Sequence, residues 1–102
     1  MVDLPTSFDQ VPPVRVVRFR TASRAQRATG LEGWLVAEFG PIRVDGITLR
    51  RTRGGRLSLS FPQRVDVADR EHAIVRPLDD AARAAIERAV FDQLDLDDGA
   101  TP

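Results

Sequence analysis

The amino-acid sequence predicts an α+β domain, a curved antiparallel sheet of about five strands with one C-terminal helix packed on it. Short segments rich in β-branched and other apolar residues recur between glycine- and proline-containing turns. Apolar and polar residues alternate on both sides of a glycine pair, and the last periodic segment has helical spacing. For a chain of 102 residues we expect one domain at 14–94, a flexible N-terminal arm at 1–13 and an acidic flexible tail at 95–102.

The clearest element is a β-hairpin around the glycine pair. Residues 47–50 alternate apolar and polar before it, and residues 57–61 do so after it. A turn made by the two glycines alone would mix the two faces of the hairpin. A three-residue loop at 53–55, with a glycine at positive φ in its last position, instead places Leu49 opposite Leu59.

Two further strands precede the hairpin. Val14–Arg20 is rich in β-branched residues, and its doubled valine predicts a bulge or a strand buried on both faces. Residues 21–30 are small and polar and predict a loop. Gly33–Gly40 predicts the next strand, and a switch of apolar parity in the strand that follows predicts a bulge at Asp45-Gly46.

The chain after the hairpin predicts a loop, a short strand and a helix. Pro62 ends the hairpin, Gln63–Glu71 is a polar loop, and His72–Arg76 is a fifth strand. Asp79 or Asp80 caps the helix. The helix carries an apolar stripe (Ala82, Ala85, Ile86, Ala89, Val90 and Leu94) and residues expected to stay in water (Arg83, Glu87 and Arg88). Arg83 and Glu87 are four residues apart and can pair.

Charge is unevenly distributed along a chain of zero formal net charge. Residues 14–64 hold eleven arginines and three acidic residues, whereas residues 65–102 hold four arginines and ten acidic residues. Such asymmetry indicates a side that faces a polyanion. An ordinary solvated surface is the alternative, because every basic residue is arginine, which codon usage alone can produce.

Composition and motif spacing give no sign of a catalytic or metal site. With no cysteine and a single histidine, the chain lacks zinc-like ligand spacing, so we expect no metal and no cofactor. The glycine pair is not followed by the lysine and hydroxyl residue of a phosphate-binding loop, and it joins two strands. We therefore expect no enzyme. No apolar run approaches the length of a membrane span and no signal peptide is recognisable, so a cytoplasmic protein without a membrane partner is expected.

Trp34 is the only tryptophan. A place in the core or in a dimer interface is favoured over base stacking, because aromatic side chains dominate buried area.

The segment from Ile47 to Leu94 resembles the bacterial SpoVG family (stage V sporulation protein G, a septation regulator). That family has an apolar strand, a glycine turn, a strand ending M-P-S, a basic loop, an I-x-H-P-I strand and a C-terminal helix. The matching residues are Ile47-Thr48-Leu49, Gly55, Leu57 to Gln63, Arg64, Ile74, Arg76-Pro77-Leu78 and the helix from Asp79. The spacing from Pro62 to Pro77 matches without gaps, whereas Val65 stands where the family has a second basic residue.

The resemblance implies a small homodimer that binds DNA, and in some cases RNA, without a cofactor. Arg64 takes the position of the first basic loop residue, and His72 that of an arginine near the end of the loop. Together with the hairpin arginines, the expected nucleic-acid-binding residues are Arg50, Arg51, Arg53, Arg56, Arg64, Arg70 and His72. The alternative is a non-enzymatic interaction module that docks an acidic protein partner.

Overall fold

The computed structural model of the chain describes residues 13–96. In chain order the elements are β1 (Val14–Thr21), α1 (Arg24–Ala28), β2 (Leu31–Phe39), β3 (Ile42–Arg51), β4 (Leu57–Ser60), β5 (Gln63–Val65), β6 (Glu71–Ala73) and α2 (Asp80–Gln93). The predicted arm, apart from Pro13, and the predicted tail beyond Leu96 lie outside the described residues.

The main layer is an antiparallel four-stranded sheet in the order β1-β2-β3-β4, which confirms the predicted α+β class. Leu49 pairs with Leu59 as predicted, and the N–H of Thr52 donates to the carbonyl oxygen of Arg56 at 2.8 Å, closing a three-residue loop. Gly55 ends that loop at a φ of +87°, a conformation that favours glycine. Register shifts in β1 after Val16, and in β3 next to Gly46, confirm both predicted bulges.

The fifth predicted strand does not join this sheet. Residues 71–73 form β6, which pairs with β5 in a separate two-stranded sheet, here called the ribbon (residues 63–73). Pro62 separates the ribbon from β4, and its carbonyl oxygen accepts hydrogen bonds from the N–H groups of Ile74 and Val75 at 3.1 and 3.3 Å. The sequence predicted a loop over residues 63–71, which is wrong for 63–65 because these residues form β5. No residue of β5 is buried, so its sequence lacks the alternation that marks a half-buried strand.

Helix α2 packs across one face of the four-stranded sheet. Asp79 is its N-cap, with a side-chain oxygen that accepts from the N–H of Ala82 at 2.8 Å. The buried helix residues are Ala82, Ile86, Val90 and Phe91. Phe91 lies outside the predicted stripe, and Ala85 and Ala89 are only partly buried. The core beneath the helix comprises Leu35, Ala37, Val44, Ile47, Leu49, Leu57 and Leu59.

A short helix, α1, replaces the middle of the predicted loop at 21–30. Its N-terminus is a capping box: the N–H of Gln26 donates to the Ser23 hydroxyl at 3.2 Å, and the N–H of Ser23 donates to the Gln26 side chain at 3.0 Å. These reciprocal bonds satisfy N–H groups that a five-residue helix would otherwise leave without a partner. The segment is too short to be predicted from helical periodicity.

Side chains of α2 bind the backbone of both edge strands. At β1, Gln93 accepts from the N–H of Val16 at 2.8 Å and donates to the carbonyl oxygen of Val14 at 2.7 Å. At β4, Glu87 accepts from the N–H of Leu59 at 2.9 Å, and Arg83 donates to the Leu59 carbonyl at 2.7 Å.

The predicted exposure of Arg83 and Glu87 is therefore wrong. Both side chains are half-buried against β4, although they also make the predicted pair at 3.4 Å. Edge backbone groups need hydrogen-bond partners, and these two side chains supply them. Between residues 13 and 96, no helix has the length and apolar character needed to cross a membrane.

Candidate nucleic-acid interface

The tip of the β3–β4 hairpin is a cluster of three arginines. Arg51 ends β3 and Arg53 lies in the loop, and both line a depression of about 350 Å³ together with Arg27 of α1. The N–H of Arg51 donates to the carbonyl oxygen of Gly30 at 2.7 Å, which ties α1 to the hairpin. A Cβ atom on Gly30 would lie 2.9 Å from the carbonyl oxygen of Arg51, so this close approach requires glycine. We call Arg27, Arg51 and Arg53 the tip cluster.

The other two hairpin arginines point elsewhere. Arg50 lies on the sheet face opposite α2 and lines a cleft of about 710 Å³, whose other wall includes Glu71 and Arg76. Arg56 lies beside α2 in a depression of about 330 Å³ shared with Asp92. The four arginines expected to form one basic surface therefore spread over three sides of the hairpin.

All four hairpin arginines are exposed. Within residues 13–96 the ion pairs are Arg15–Glu38, Arg43–Glu38, His72–Asp66 and Arg83–Glu87, so no described carboxylate neutralises a hairpin arginine. Arg51 uses one guanidinium N–H to hold the hairpin loop, donating to the Gly55 carbonyl at 2.7 Å. Its remaining N–H groups, and those of Arg53, are available to an anion.

The ribbon carries the other three predicted residues in a different setting. Arg64 pairs across the ribbon with His72, and Arg70 lies in the connecting loop. The Nε2 atom of His72 is 2.8 Å from Oδ2 of Asp66, while Oδ1 of Asp66 accepts from the N–H groups of Ala68 and Arg70 at 2.8 and 3.0 Å.

This network holds the pKa of Asp66 below its usual value, chiefly through the hydrogen bond with His72 and then through the backbone N–H groups of Arg70 and Ala68. His72 is therefore engaged in organising the loop. Asp69 and Glu71 place two further carboxylates in the ribbon, so it is much less basic than the hairpin tip.

The face of the four-stranded sheet opposite α2, here called the open face, carries a polar row that crosses all four strands. Arg20 pairs with Trp34, Trp34 with Thr48, and Thr48 with Ser60. The guanidinium of Arg20 stands over the Trp34 ring, 4.5 Å from its centroid. Trp34 is half-buried and does not contribute to the core, so of the two expected places the core is wrong, and the dimer interface stays a prediction.

At one end of the open face, Glu38 lies between two arginines. Arg15 and Arg43 approach its carboxylate oxygens at 2.8 and 2.7 Å. Hydrogen bonds from Arg43 and then from Arg15 hold the pKa of Glu38 below its usual value. One carboxylate shared by two guanidinium groups leaves this end of the face basic.

Sequence reasoning missed two of these features. The capping box at Ser23 and Gln26 was the available signal for α1, and hence for placing Arg27 at the hairpin. The Arg20–Trp34 contact had no local signal, because it joins neighbouring strands through their register.

Comparison of the chain with protein-family models, curated proteins and solved structures gives no match.

Proposed function

We propose that this protein is a small nucleic-acid-binding regulatory protein, dimeric and without a cofactor, that binds DNA and in some settings RNA. The observation that carries the proposal is the tip cluster, in which a backbone hydrogen bond between α1 and β3 brings Arg27 to Arg51 and Arg53 without a described carboxylate partner. The resemblance to the SpoVG family points to the same role. Such a regulator acts where nucleic acid is found, so the proposal includes a cytoplasmic location.

The mechanism follows from guanidinium chemistry. Each exposed arginine presents a planar fork of N–H donors that matches two phosphate oxygens and releases condensed counterions from the backbone of the nucleic acid. The hairpin under the tip is anchored by Ile47, Leu49, Leu57 and Leu59, all buried. A rigid support of this kind orients the arginines before binding, which reduces the entropy lost on association.

The dimer is the second part of the proposal. The resemblance to the SpoVG family implies it. The fold limits where a second copy can bind, because α2 binds backbone at both edges of the sheet and Phe39 and Phe61 pack against the core. Among the described residues, the rest of the β1 edge remains as a surface for a second copy. Sedimentation at high protein concentration should show twice the 11.3 kDa chain mass, and a persistent monomer would contradict this part.

A protein-interaction module is the alternative, and one observation favours it. Five exposed apolar side chains lie on the ribbon and on the segment leading to α2: Val65, Val67, Ile74, Val75 and Leu78. Exposed apolar side chains near Arg64 and Arg70 suit an acidic protein partner with apolar anchors.

A gel-shift titration with duplex DNA, single-stranded DNA and RNA separates these two functions. We expect binding of at least one of them at low salt, and the same assay with Arg27, Arg51 and Arg53 replaced by glutamine should show its loss. Arg88→Gln, an exposed substitution on α2, is the matched control. Absence of binding to all three nucleic acids at low salt would contradict the proposal and favour the interaction module.

A further inference from the structure

We propose that the open face binds the unpaired bases of a single-stranded nucleic acid, with Trp34 and Arg20 as the stacking platform. This inference rests on the proposed function and extends it: the tip cluster holds phosphates, and a different surface contacts the bases. The ligand of the open face is thereby a single strand or a single-stranded segment, whereas the tip cluster can hold the phosphates of any nucleic acid.

The first argument is the Arg20–Trp34 contact itself. At 4.5 Å from the ring centroid, the guanidinium of Arg20 is held over the indole by a cation–π interaction. Both an indole ring and a guanidinium plane stack on unpaired bases, whereas the bases of a duplex are already stacked on one another. An aromatic side chain on a sheet face that no helix of residues 13–96 packs against is therefore suited to a single strand.

The second argument is what surrounds the platform. Thr48 and Ser60 continue the row across β3 and β4 and offer hydroxyl groups that donate and accept hydrogen bonds. Arg18 and Val36 pair on the next row, and with Arg20 and Trp34 they line a depression of about 270 Å³. Polar hydrogen-bonding groups thus lie next to the ring on one side, and apolar and basic groups on the other.

The third argument is that arginines lie both on the open face and at the neighbouring end of β3. Arg50 lies on the open face and lines the adjoining cleft. Arg51 of the tip cluster follows it but projects from the other side of the strand, so a bound strand passes around the end of β3 to reach both sites. Gly46 borders both the cleft and the depression at Trp34, so the two form one continuous surface. A strand whose backbone is held at the tip can therefore lay its bases along the open face.

The charge of this face also decides between nucleic acid and a second copy of the chain. Arg18, Arg20 and Arg50 have no described carboxylate partner, and Arg15 and Arg43 share Glu38. Two identical copies joined through this face would bring like charges together, which disfavours association. A polyanion is complementary to the same surface.

Trp34 is the only tryptophan, so its fluorescence reports directly on this site. The experiment titrates the full chain with a short end-labelled oligothymidylate and with an abasic strand of the same length. Label anisotropy gives the affinity and tryptophan emission reports the environment of Trp34. We expect the oligothymidylate to quench the emission and to bind roughly 5- to 150-fold more tightly than the abasic strand, the range of one base–aromatic stack.

Three variants complete the test. Trp34→Leu should bring the affinity for oligothymidylate down to that for the abasic strand, while Trp34→Phe should keep most of the difference because a ring remains. Arg88→Gln should change neither affinity. Unchanged affinity of Trp34→Leu for the abasic strand, which needs only the tip cluster, shows that this variant is folded.

Equal binding of both strands with unchanged emission would overturn the inference and leave the proposed function standing. Emission that changes with protein concentration alone would also overturn it, in favour of a second copy on the open face. Failure of both strands to bind at low salt would overturn the inference, and the proposed function is overturned with it only when duplex DNA and RNA also fail to bind.

Discussion

The β3–β4 hairpin and the β5–β6 ribbon are both two-stranded antiparallel elements with predicted nucleic-acid-binding residues, yet they are built differently. The hairpin buries five apolar residues beneath α2, and its arginines have no described carboxylate partner. The ribbon buries none of its strand residues. Its loop is organised by Asp66, whose carboxylate is in hydrogen-bonding contact with the His72 ring.

The difference shows that exposure alone does not distinguish the basic residues of the two elements, whereas the carboxylates that lie beside them do. In the hairpin, the hydrophobic core holds the strands together, and the arginine side chains are exposed and available for binding. In the ribbon there is no core contribution, and Asp66 organises the loop through His72 and two backbone N–H groups. Arg64 and Arg70 are exposed without a described ion pair, but they lie in an element that also carries Asp66, Asp69 and Glu71. We therefore expect the hairpin to dominate binding.

Neutralising the hairpin tip should have the largest effect. Replacing Arg27, Arg51 and Arg53 with glutamine should reduce affinity for nucleic acid by about a thousandfold or more, because phosphate contacts supply most of the binding energy. The fold should survive, because exposed substitutions change stability by about 0.5 kcal/mol or less and the one described side-chain hydrogen bond lost, from Arg51 to the Gly55 carbonyl, is on the order of 1 kcal/mol. Gel shift and thermal melting measure the two effects.

The same experiment on the ribbon gives the comparison. Arg64→Gln with Arg70→Gln should weaken binding much less than the tip variant, and Arg88→Gln should leave it unchanged. Arg83 is not a suitable control, because its side chain binds the Leu59 carbonyl. Equal losses from the tip and ribbon variants would contradict the distinction between the two elements.

Added salt should strongly reduce the affinity of the wild-type protein for nucleic acid. With three or four phosphate contacts per subunit of a dimer, the logarithm of the binding constant should fall against the logarithm of salt concentration with a slope of about −5 to −7 on duplex DNA. Between about 50 and 200 mM salt, the loss is on the order of a thousandfold. Arg53→Ala should reduce the slope by about two units per dimer. A slope near zero would mean that the arginines are ordinary solvated surface.

Stability should separate the two elements in a second way. Leu59→Ala removes a side chain that is 1% exposed under α2, so the free energy of unfolding should fall by about 2–5 kcal/mol. Val65 is 60% exposed in β5, and Val65→Ala should stay within about 0.5 kcal/mol. Urea denaturation of the two variants measures both values, and a large effect at Val65 would indicate that the ribbon packs against a partner.

Lowering the pH should destabilise the ribbon loop by protonating Asp66, and this is the smallest of the expected effects. The pKa of Asp66 is lower in the folded chain than its unfolded value of about 3.9. Ionised Asp66 therefore stabilises the loop above that pH, and the contribution is lost as the pH falls through the lower folded pKa.

An NMR titration of the Asp66 carboxyl carbon should accordingly give a midpoint below about 3.9, and His72→Gln should raise it. Arg64→Gln alters a charge across the ribbon but keeps the contact between His72 and Asp66, which makes it the control. A midpoint that does not respond to His72→Gln would show that the backbone N–H groups alone hold the carboxylate.

Much of the fold was readable from local patterns. The alternation on both sides of the glycine pair predicted the pairing of Leu49 with Leu59, since a shift by one residue would reverse the faces. The helix spacing and the acidic cap predicted α2 from Asp79 onward. These features involve residues close in sequence or a periodicity that burial itself imposes, and both leave a direct trace in the chain.

The amino-acid sequence by itself thus determined the α+β class, the hairpin register, the bulges and the basic character of residues 14–64. Tertiary structure alone decided which arginines are free, that Arg83 and Glu87 bind the edge of β4, and that Trp34 stands on the open face under Arg20. The physical reason is that periodicity reports which side of an element is buried, but not which other element covers it. Ion pairs, edge contacts and the Arg20–Trp34 stack join residues distant in sequence, and they exist only once the strands are in register.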